Sequence, residues 1–398
     1  MATLAVNFAG LELKNPFIVG SSELTDKIDK IKWAEDAGAS AVSTKLCFLE
    51  VPFFARPYHV YEKRGAFYSP SGNRLDIDQA QELIRQCKEQ TDLKIIANMM
   101  GPGDNVDGWV KLAQMLEEAG ADMVELNMSC PNVGLMSSKT GMDKTAEMGA
   151  ALGKLPKLAG QVCGFIAEGV NIPVMAKMTP EGDTDIVADE CFKGGAAAVS
   201  AINCPMSLPA CDIYNGGKPV YPTSGNQSFA GLCGEWIRPL AFRHIAGIRQ
   251  RNPKVPIAGG GGLMTWEESV QMLMYGSNVL TYVSVLYRDG FKVLPRFAKK
   301  ILNFMEENGY ETVTDMMGLA LRHVVTPQKV DYIDKIPQIN DDKCTGCGIC
   351  ADLGHCEVIE FDQEEKLPKV VHPEKCYYCG YCYFRCPAGA IDMVPVKS

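Results

Sequence analysis

The residues best suited to chemistry in this 398-residue chain are eight cysteines near its C-terminal end. They form two groups, the first Cys344, Cys347, Cys350 and Cys356, and the second Cys376, Cys379, Cys382 and Cys386. In each group, two residues separate the first cysteine from the second and the second from the third, and a proline follows the last cysteine of the second group. The second group has the bacterial C-x2-C-x2-C-x3-C-P spacing, in which the cysteine thiolates hold iron–sulfur clusters. We therefore predict two 4Fe–4S clusters.

The ligands of the two clusters are expected to cross between the groups. A tight C-x2-C-x2-C turn brings three thiolates to one cubane, and the fourth cysteine is too far along the chain to join them. Cys386 should therefore complete the cluster of the first group, and Cys356 that of the second. Five residues rather than three separate Cys350 from Cys356, which should lengthen a loop without removing the ligand. Zinc and disulfides are the alternatives, but paired C-x2-C-x2-C triplets favour clusters.

A second set of reactive side chains surrounds Cys130, in the segment Asn127-Met-Ser129-Cys130-Pro-Asn132. A positioned thiol can deliver or accept a proton, and neighbouring amides can bind carbonyls and ring N–H groups. The alternative for a lone cysteine is a small buried hydrophobe. Farther along, four consecutive glycines at 259–262 would let backbone N–H groups approach a phosphate, although such a run is also typical of a flexible turn.

The elements that position these residues alternate between short apolar runs and amphipathic stretches. We predict strands at 15–20, 40–45, 93–99, 122–127, 172–178, 197–203, 255–260 and 278–284. Eight evenly spaced units predict a (β/α)8 TIM barrel, an α/β fold, rather than a doubly wound open sheet. Chemistry in such barrels lies on the loops after the strands, and three long ones, 46–77, 128–153 and 204–235, should wall a pocket.

The domain organisation follows from the change in composition along the chain. Residues 1–310 are expected to form the barrel, 311–336 a closing helix and linker, and 337–398 a ferredoxin-like domain with two clusters. The net charge is −9 and no basic stripe is visible, which argues against nucleic-acid binding. No apolar run is long enough to span a membrane and no signal peptide is recognisable, so we expect a cytoplasmic protein.

The motifs together resemble the dihydroorotate and dihydropyrimidine dehydrogenase family. The resemblance rests on the segment from Asn127 to Asn132, on 15–22, on 176–180 and on 231–242. The combination of a barrel with two clusters is most similar to the iron–sulfur FMN subunits of bacterial NAD-dependent dihydropyrimidine dehydrogenases. The resemblance implies FMN as the cofactor of the barrel.

The resemblance also implies roles for individual residues. Cys130 would transfer the proton, and the substrate contacts would be Asn73, Asn127, Ser129, Asn132, Asn203 and Cys204. The cofactor contacts would be Gly20, Ser21, Lys45, Asn98, Asn127, Lys177, Gly231, Gly234, Gly260, Gly261, Gly262, Val283 and Ser284. Lys177 would lie at the N1–C2 edge of the flavin, where its charge stabilises the anionic reduced form. The alternative for Lys45 and for Lys177 is a solvated charge at the end of a strand.

The expected reaction is reduction, or the reverse oxidation, of a C=C bond conjugated to a carbonyl, with uracil or thymine as the leading substrates. No Rossmann fingerprint is present, so electrons should come through the clusters, from an NAD(P)H-oxidising flavoprotein partner or from ferredoxin. The substrate half of the site matches the family less well than the flavin half. In the differing segment 66–74, Arg74 would favour an anionic substrate if it enters the pocket.

Several alternatives remain open from the sequence. The same chemistry on another unsaturated or aromatic-derived ring is the nearest one, and an electron-relay subunit of a larger complex is a second. A tRNA-modifying dihydrouridine synthase is disfavoured by the acidic charge and the cysteine-rich end. A homodimer or a hetero-oligomer is possible. Four cysteines lie on loops of the catalytic face, Cys47, Cys204, Cys211 and Cys233, whereas Cys87, Cys163 and Cys191 should pack in helices. His355, between cluster ligands, either tunes a cluster or is an ordinary loop residue.

Overall fold

The protein is described here by a computed structural model that covers residues 2–51, 58–61, 65–101, 105–131, 148–221 and 225–396. The chain divides into two compact units, residues 1–324 and 325–398. The division falls inside the segment 311–336, for which a closing helix and a linker were expected.

Eight parallel strands form a closed barrel in the first unit. They are β1 (Phe17–Val19), β2 (Ala41–Ser43), β3 (Lys94–Met99), β4 (Met123–Asn127), β5 (Val174–Lys177), β6 (Ala198–Ala201), β7 (Ile257–Gly260) and β8 (Val279–Tyr282). Each strand pairs with the next, and β8 pairs with β1 through the register Leu280 to Phe17. All eight coincide with predicted strands, so the barrel prediction is confirmed.

The helices surround the barrel and bury one face each. They are α1 (Ile28–Asp36), α2 (Ile77–Gln90), α3 (Val106–Glu118), α4 (Pro156–Gly169), α5 (Thr184–Lys193), α6 (Arg238–Arg251), α7 (Trp266–Met274), α8 (Ser284–Asp289), α9 (Val293–Asn308) and α10 (Val313–Met316). Helix α2 shows the pattern: it begins at a capping box of Asp76 with Gln79 and buries Ala80, Leu83, Ile84 and Cys87. This spacing places one apolar stripe on the barrel.

A hairpin closes the floor of the barrel. Strands Val6–Phe8 and Leu11–Leu13 pair antiparallel. Phe8, Leu11 and Leu13 pack with residues from the starts of the barrel strands, such as Ile18 and Ala41, in a separate buried cluster. The barrel is therefore sealed at the amino ends of its strands and offers a site only at the carboxyl ends.

A small antiparallel sheet lies beside the barrel opening. Its strands, in spatial order, are Met206–Ser207, Ala230–Gly234, Ala66–Ser71 and Tyr58–Tyr61. They come from two of the three segments for which long loops were expected, 46–77 and 204–235. We did not predict this sheet from the sequence, because its strands are short and its central pairing joins distant segments, as Gly231 with Ser69 shows.

The second unit is built from two antiparallel strand pairs and one short α-helix. Lys335–Ile339 pairs with Ile391–Pro395, and Ile359–Asp362 pairs with Leu367–Val370. Helix α11 (Tyr381–Arg385) lies within the second cysteine group. The core of the second unit is small, with Val358, Ile359 and Ile391 buried beside the cysteines. In the described part of the chain, no helix is both long and apolar enough to cross a bilayer.

Candidate functional site

A large open cavity lies at the carboxyl ends of the barrel strands. The empty space within it, counted together with the solvent at its mouth, is about 1230 Å³. Thirteen of the predicted site residues line it: Ser21, Lys45, Asn127, Cys130, Lys177, Asn203, Cys204, Gly231, Gly260, Gly261, Gly262, Val283 and Ser284. The fold therefore brings residues from distant parts of the sequence to one cavity.

Five predicted residues lie outside the lining, namely Gly20, Asn73, Asn98, Ser129 and Gly234. Two of them are glycines that allow close packing. A Cβ on Gly20 would lie 2.7 Å from methyl groups of Thr281 and Val283, and one on Gly234 would overlap a backbone carbonyl. Asn132, also predicted to bind substrate, lies outside the described residues.

Asn98 and Ser129 belong to a chain of hydrogen bonds behind the cavity wall. The Asn127 side-chain amide donates to Asn98 Oδ1 (3.1 Å), and the Ser129 hydroxyl donates to Asn127 Oδ1 (3.0 Å). Asn203 Nδ2 donates to the Ser129 hydroxyl (2.9 Å). The chain joins the ends of strands β3, β4 and β6. It fixes the amides of Asn127 and Asn203, the two members that face the cavity.

Glu125 anchors this chain from below. Its carboxylate is only 2% exposed and accepts a hydrogen bond from the Asn98 amide. Lys177 Nζ lies 3.6 Å from Glu125 Oε2 and also faces the cavity. Because a buried carboxylate needs a charged partner, Glu125 keeps the ammonium group of Lys177 at the cavity wall.

Cys130 is nearly buried, with 7% of its surface exposed, and lies beside a cation. Arg74 Nη2 is 3.6 Å from Cys130 Sγ, and Arg74 Nη1 donates to the carbonyl of Asn73 (2.8 Å). Arg74 Nε is buried and has no hydrogen-bond partner. Among the residues that the structure describes, no carboxylate forms an ion pair with Arg74. The cavity therefore contains a guanidinium group that is in no direct ion pair with a described carboxylate.

Lys45 contributes a third cation, which is paired with Glu23. Its Nζ donates to Glu23 Oε1 (2.8 Å), and Tyr287 donates its hydroxyl to the other oxygen of Glu23 (3.1 Å). Burial, and then the nearby Arg74, lower the pKa of Lys45, and Glu23 partly opposes this. The sequence did not indicate Glu23 or Tyr287. The one signal for Glu23 is its place just after strand β1, on the catalytic face.

Two of the four cysteines on catalytic-face loops meet in a disulfide. Cys204 and Cys233 are joined, with their Cα atoms 5.5 Å apart, and both line the cavity. Cys204 was expected to contact substrate, and its pairing was not predicted. Cys47 is buried and Cys211 is exposed, and neither lines the cavity. Cys87, Cys163 and Cys191 are buried in helices, in agreement with their predicted packing role.

The glycines after strand β7 suit a phosphate-bearing cofactor. Gly261 and Gly262 have φ angles of +120° and +78°, which side chains disfavour. A Cβ on Gly262 would also lie 2.5 Å from the carbonyl oxygen of Gly234. This rim of the cavity is therefore bare backbone, the surface that a phosphate needs. Lys177 and Asn127 on the wall add a cation and an amide to the groups that this rim offers.

The cysteine groups of the second unit enclose two small cavities. Cys344, Cys347, Cys350 and Cys386 line the first, and Cys356, Cys376, Cys379 and Cys382 line the second, which Cys350 also borders. This is the crossed grouping expected from the spacing. In the described residues, no three His, Cys, Asp or Glu side chains converge as for a single metal ion.

Backbone N–H groups point at the cysteine sulfurs of both cavities. Ala390 N donates to Cys386 Sγ (3.2 Å), and Tyr378 N donates to Cys376 Sγ (3.4 Å). Hydrogen bonds of this kind surround the thiolate ligands of iron–sulfur clusters and influence their potentials. The second unit thus has thiol and backbone N–H groups of the kind that surround 4Fe–4S clusters.

Comparisons with known proteins agree with this arrangement. The family described as dihydroorotate dehydrogenase matches residues 3–305, and the family described as 4Fe–4S binding domain matches residues 369–392. The NAD-dependent dihydropyrimidine dehydrogenase subunit PreA of Escherichia coli strain K12 is 31% identical over 414 residues, which cover 99% of this chain and 96% of that protein.

Catalytic subunits of dihydroorotate dehydrogenase B (NAD(+)) are similar to the barrel part alone. The one from Pyrococcus abyssi is 29% identical over 325 residues, 80% of this chain and 99% of its own length. The one from Methanosarcina mazei is 31% identical over 322 residues, 80% of this chain and 95% of its own length. The likeness to PreA extends through the cysteine-rich unit as well.

Proposed function

The chain belongs to the dihydroorotate dehydrogenase family of oxidoreductases and carries a 4Fe–4S binding domain, and from this premise we propose that it uses FMN in the barrel and two 4Fe–4S clusters in the second unit. We propose that it reduces, or in reverse oxidises, a C=C bond conjugated to a carbonyl, with uracil or thymine and their 5,6-dihydro forms as the substrate pair. The observation that carries the proposal is that one cavity brings Cys130 together with Lys177, Asn127 and the bare glycine rim.

The glycine rim and strand β8 would hold the phosphate end of the cofactor. Gly260, Gly261 and Gly262 offer backbone without side chains, and Ser284 lies on the same wall. Lys177 would place its charge against the flavin ring, where it favours the negatively charged reduced state. When bound, FMN would exchange a hydride with a carbon of the substrate.

Cys130 would move the proton that accompanies the hydride. Its Sγ is nearly buried in the cavity wall, so the proton would pass between sulfur and the substrate carbon with little exchange with bulk water. Asn127 and Asn203 carry amides whose orientation is fixed by Ser129. Each amide group offers both a donor and an acceptor, which complements the N–H and C=O groups of a pyrimidine ring.

Arg74 would bind an oxygen of the substrate. The described structure offers its guanidinium no carboxylate, and its Nε is buried without a partner. A cation in this position stabilises an oxygen that is negative in the substrate, or one that becomes negative when hydride adds to the conjugated bond. This residue is the main reason to test acidic ring substrates beside uracil and thymine.

We propose that electrons enter from a separate protein. The E. coli relative is named as a subunit of an NAD-dependent enzyme, and no dinucleotide-binding fingerprint is present in this sequence. A flavoprotein that oxidises NAD(P)H, or ferredoxin, would pass single electrons to the clusters, and two such transfers would reduce the flavin fully.

The composition of the purified protein tests the cofactor part of this proposal. Protein purified without oxygen should release FMN, identified by mass, and contain iron and sulfide for two cubanes. Release of a different flavin, or iron for one cluster only, would contradict it. An electron-relay subunit would keep its cluster reduction rates in a Cys130→Ala variant and would show no substrate turnover in either form.

A further inference from the structure

The irregular spacer between Cys350 and Cys356 brings a histidine to the other cysteine group. His355 Nε2 lies 3.5 Å from Cys379 Sγ, although the two residues are 24 positions apart. Both residues line the second cluster cavity. The side chain comes from the first cysteine group and reaches a sulfur of the second.

Local contacts hold the imidazole in this position. His355 Nδ1 lies 3.3 Å from the carbonyl oxygen of Leu353. The imidazole packs edge-on against the ring of Tyr381, with centroids 5.4 Å apart and planes at 70°. Gly354, between Leu353 and His355 in the chain, has a φ of +69°. Glycine adopts this conformation without strain, and the chain turns there. The spacer thus forms a short loop around the histidine.

The first cluster cavity has no equivalent side chain. Its lining consists of the four cysteines, apolar residues, glycine, proline and Thr345, without any histidine. The contact between an imidazole nitrogen and sulfur is therefore a difference between the two cavities, whereas backbone N–H contacts to sulfur occur at both.

We propose that His355, as an imidazolium whose Nδ1–H faces the carbonyl oxygen of Leu353, donates its Nε2–H to the Cys379 thiolate and thereby raises the reduction potential of the cluster held by Cys356, Cys376, Cys379 and Cys382. Reduction adds one electron to this cluster, no bond forms or breaks, and the proton stays on the imidazole. The reduced cluster carries one more negative charge, so an N–H donor at its sulfur stabilises that state more than the oxidised one. The bond therefore shifts a transferred electron toward this cluster. The inference rests on the two proposed clusters and is independent of the substrate.

An EPR-monitored redox titration of the full-length holoprotein tests this inference. In His355→Leu, one of the two clusters should become harder to reduce, because the equilibrium constant for its reduction should fall several-fold. A tenfold fall lowers the midpoint potential by about 59 mV for one electron. The other cluster should keep its midpoint. His355→Gln, which retains an N–H donor, should recover part of the shift.

His372→Leu is the matched control in the same unit. His372 is 41% exposed and lies 3.3 Å from Glu374, and it contacts acidic side chains rather than a cysteine. Its replacement should move neither midpoint. Unchanged midpoints in His355→Leu with full iron content, or an equal shift in His372→Leu, would overturn the inference.

A measurement on the unsubstituted protein covers the case in which His355→Leu loses its cluster. Protein labelled with ¹⁵N-histidine and reduced should show, by pulsed EPR, coupling of an imidazole nitrogen to one cluster. Absence of this coupling, with both clusters reduced, would overturn the inference. Iron content for fewer than two clusters would instead refute the cluster proposal on which it rests.

Discussion

The guanidinium of Arg74 and the thiol of Cys130, 56 residues apart in the chain, lie 3.6 Å from each other in the barrel cavity. Arg74 follows the strand Ala66–Ser71 of the small antiparallel sheet, and Cys130 follows barrel strand β4. The pair therefore joins a segment of the small sheet to the carboxyl end of a barrel strand. Substrate choice and proton transfer would meet at this point.

Replacement of Cys130 should stop proton transfer and leave the cofactors in place. Cys130→Ala should lower kcat by about 10²–10⁴-fold, the usual contribution of a positioned acid or base. The visible spectrum of flavin and clusters should stay the same. Steady-state turnover measured beside the spectrum checks this. Cys211→Ala is the control, because Cys211 is exposed and does not line the cavity, and full activity in Cys130→Ala would refute the role.

Replacement of Arg74 should weaken substrate handling without loss of flavin. A hydrogen bond to a charged group is worth about 1.5–3 kcal/mol, so kcat/KM should fall by about 10- to 150-fold in Arg74→Ala. A rise in KM alone indicates an oxygen that is already negative in the bound substrate, and a fall in kcat indicates charge that develops during hydride transfer.

Arg251→Ala is the control for this experiment, since Arg251 forms an exposed ion pair with Asp185 on the helices. It should leave both constants unchanged. If Arg74→Ala also leaves KM and kcat unchanged, Arg74 does not contact the substrate.

The glycine rim should tolerate no side chain. Gly262→Ala combines a φ of +78° with a Cβ that would lie 2.5 Å from the carbonyl oxygen of Gly234. The flavin content per protein should fall and the thermal midpoint should drop. Gly309→Ala has a similar φ of +74° but open space around its Cβ. It should lose about 1–2 kcal/mol from the left-handed backbone alone and keep its flavin. Equal flavin content in both variants would argue against a phosphate at the rim.

The crossed cluster ligation predicts which variants resemble each other. Cys386→Ser and Cys344→Ser should damage the same cluster, because both residues line the first cavity. Their remaining EPR signals should therefore match. Cys356→Ser should leave the opposite signal, since Cys356 lines the second cavity. If Cys386→Ser resembles Cys376→Ser instead, each group holds its own cluster and the crossing is wrong.

The barrel could be predicted because its signals are local. Each strand is a short and largely buried run, such as Lys94–Met99, and amphipathic stretches follow, some of which begin at a capping box as α2 does. The position of Cys130 after β4 follows directly from this order. The prediction of the cluster ligands rests on signals of the same local kind, since their spacing is contained in short segments.

The features that the sequence did not show depend on contacts between distant segments. Cys204 and Cys233 are 29 residues apart with no recognisable spacing. The hydrogen bond between Tyr287 and Glu23 spans 264 residues, and no local pattern marks either residue as its partner. The sheet beside the opening likewise forms only when two long excursions from the barrel meet. The substrate half of the cavity is built mainly from such contacts.

If this cavity transfers hydride and a proton to a pyrimidine, the pyrimidine should reoxidise the reduced enzyme. Protein reduced with dithionite under anaerobic conditions, with the excess reductant removed, is mixed with uracil or thymine while flavin absorbance is followed. The account predicts that the flavin is reoxidised and the dihydropyrimidine forms, and that Cys130→Ala shows neither. A flavin that stays reduced with both pyrimidines would contradict it.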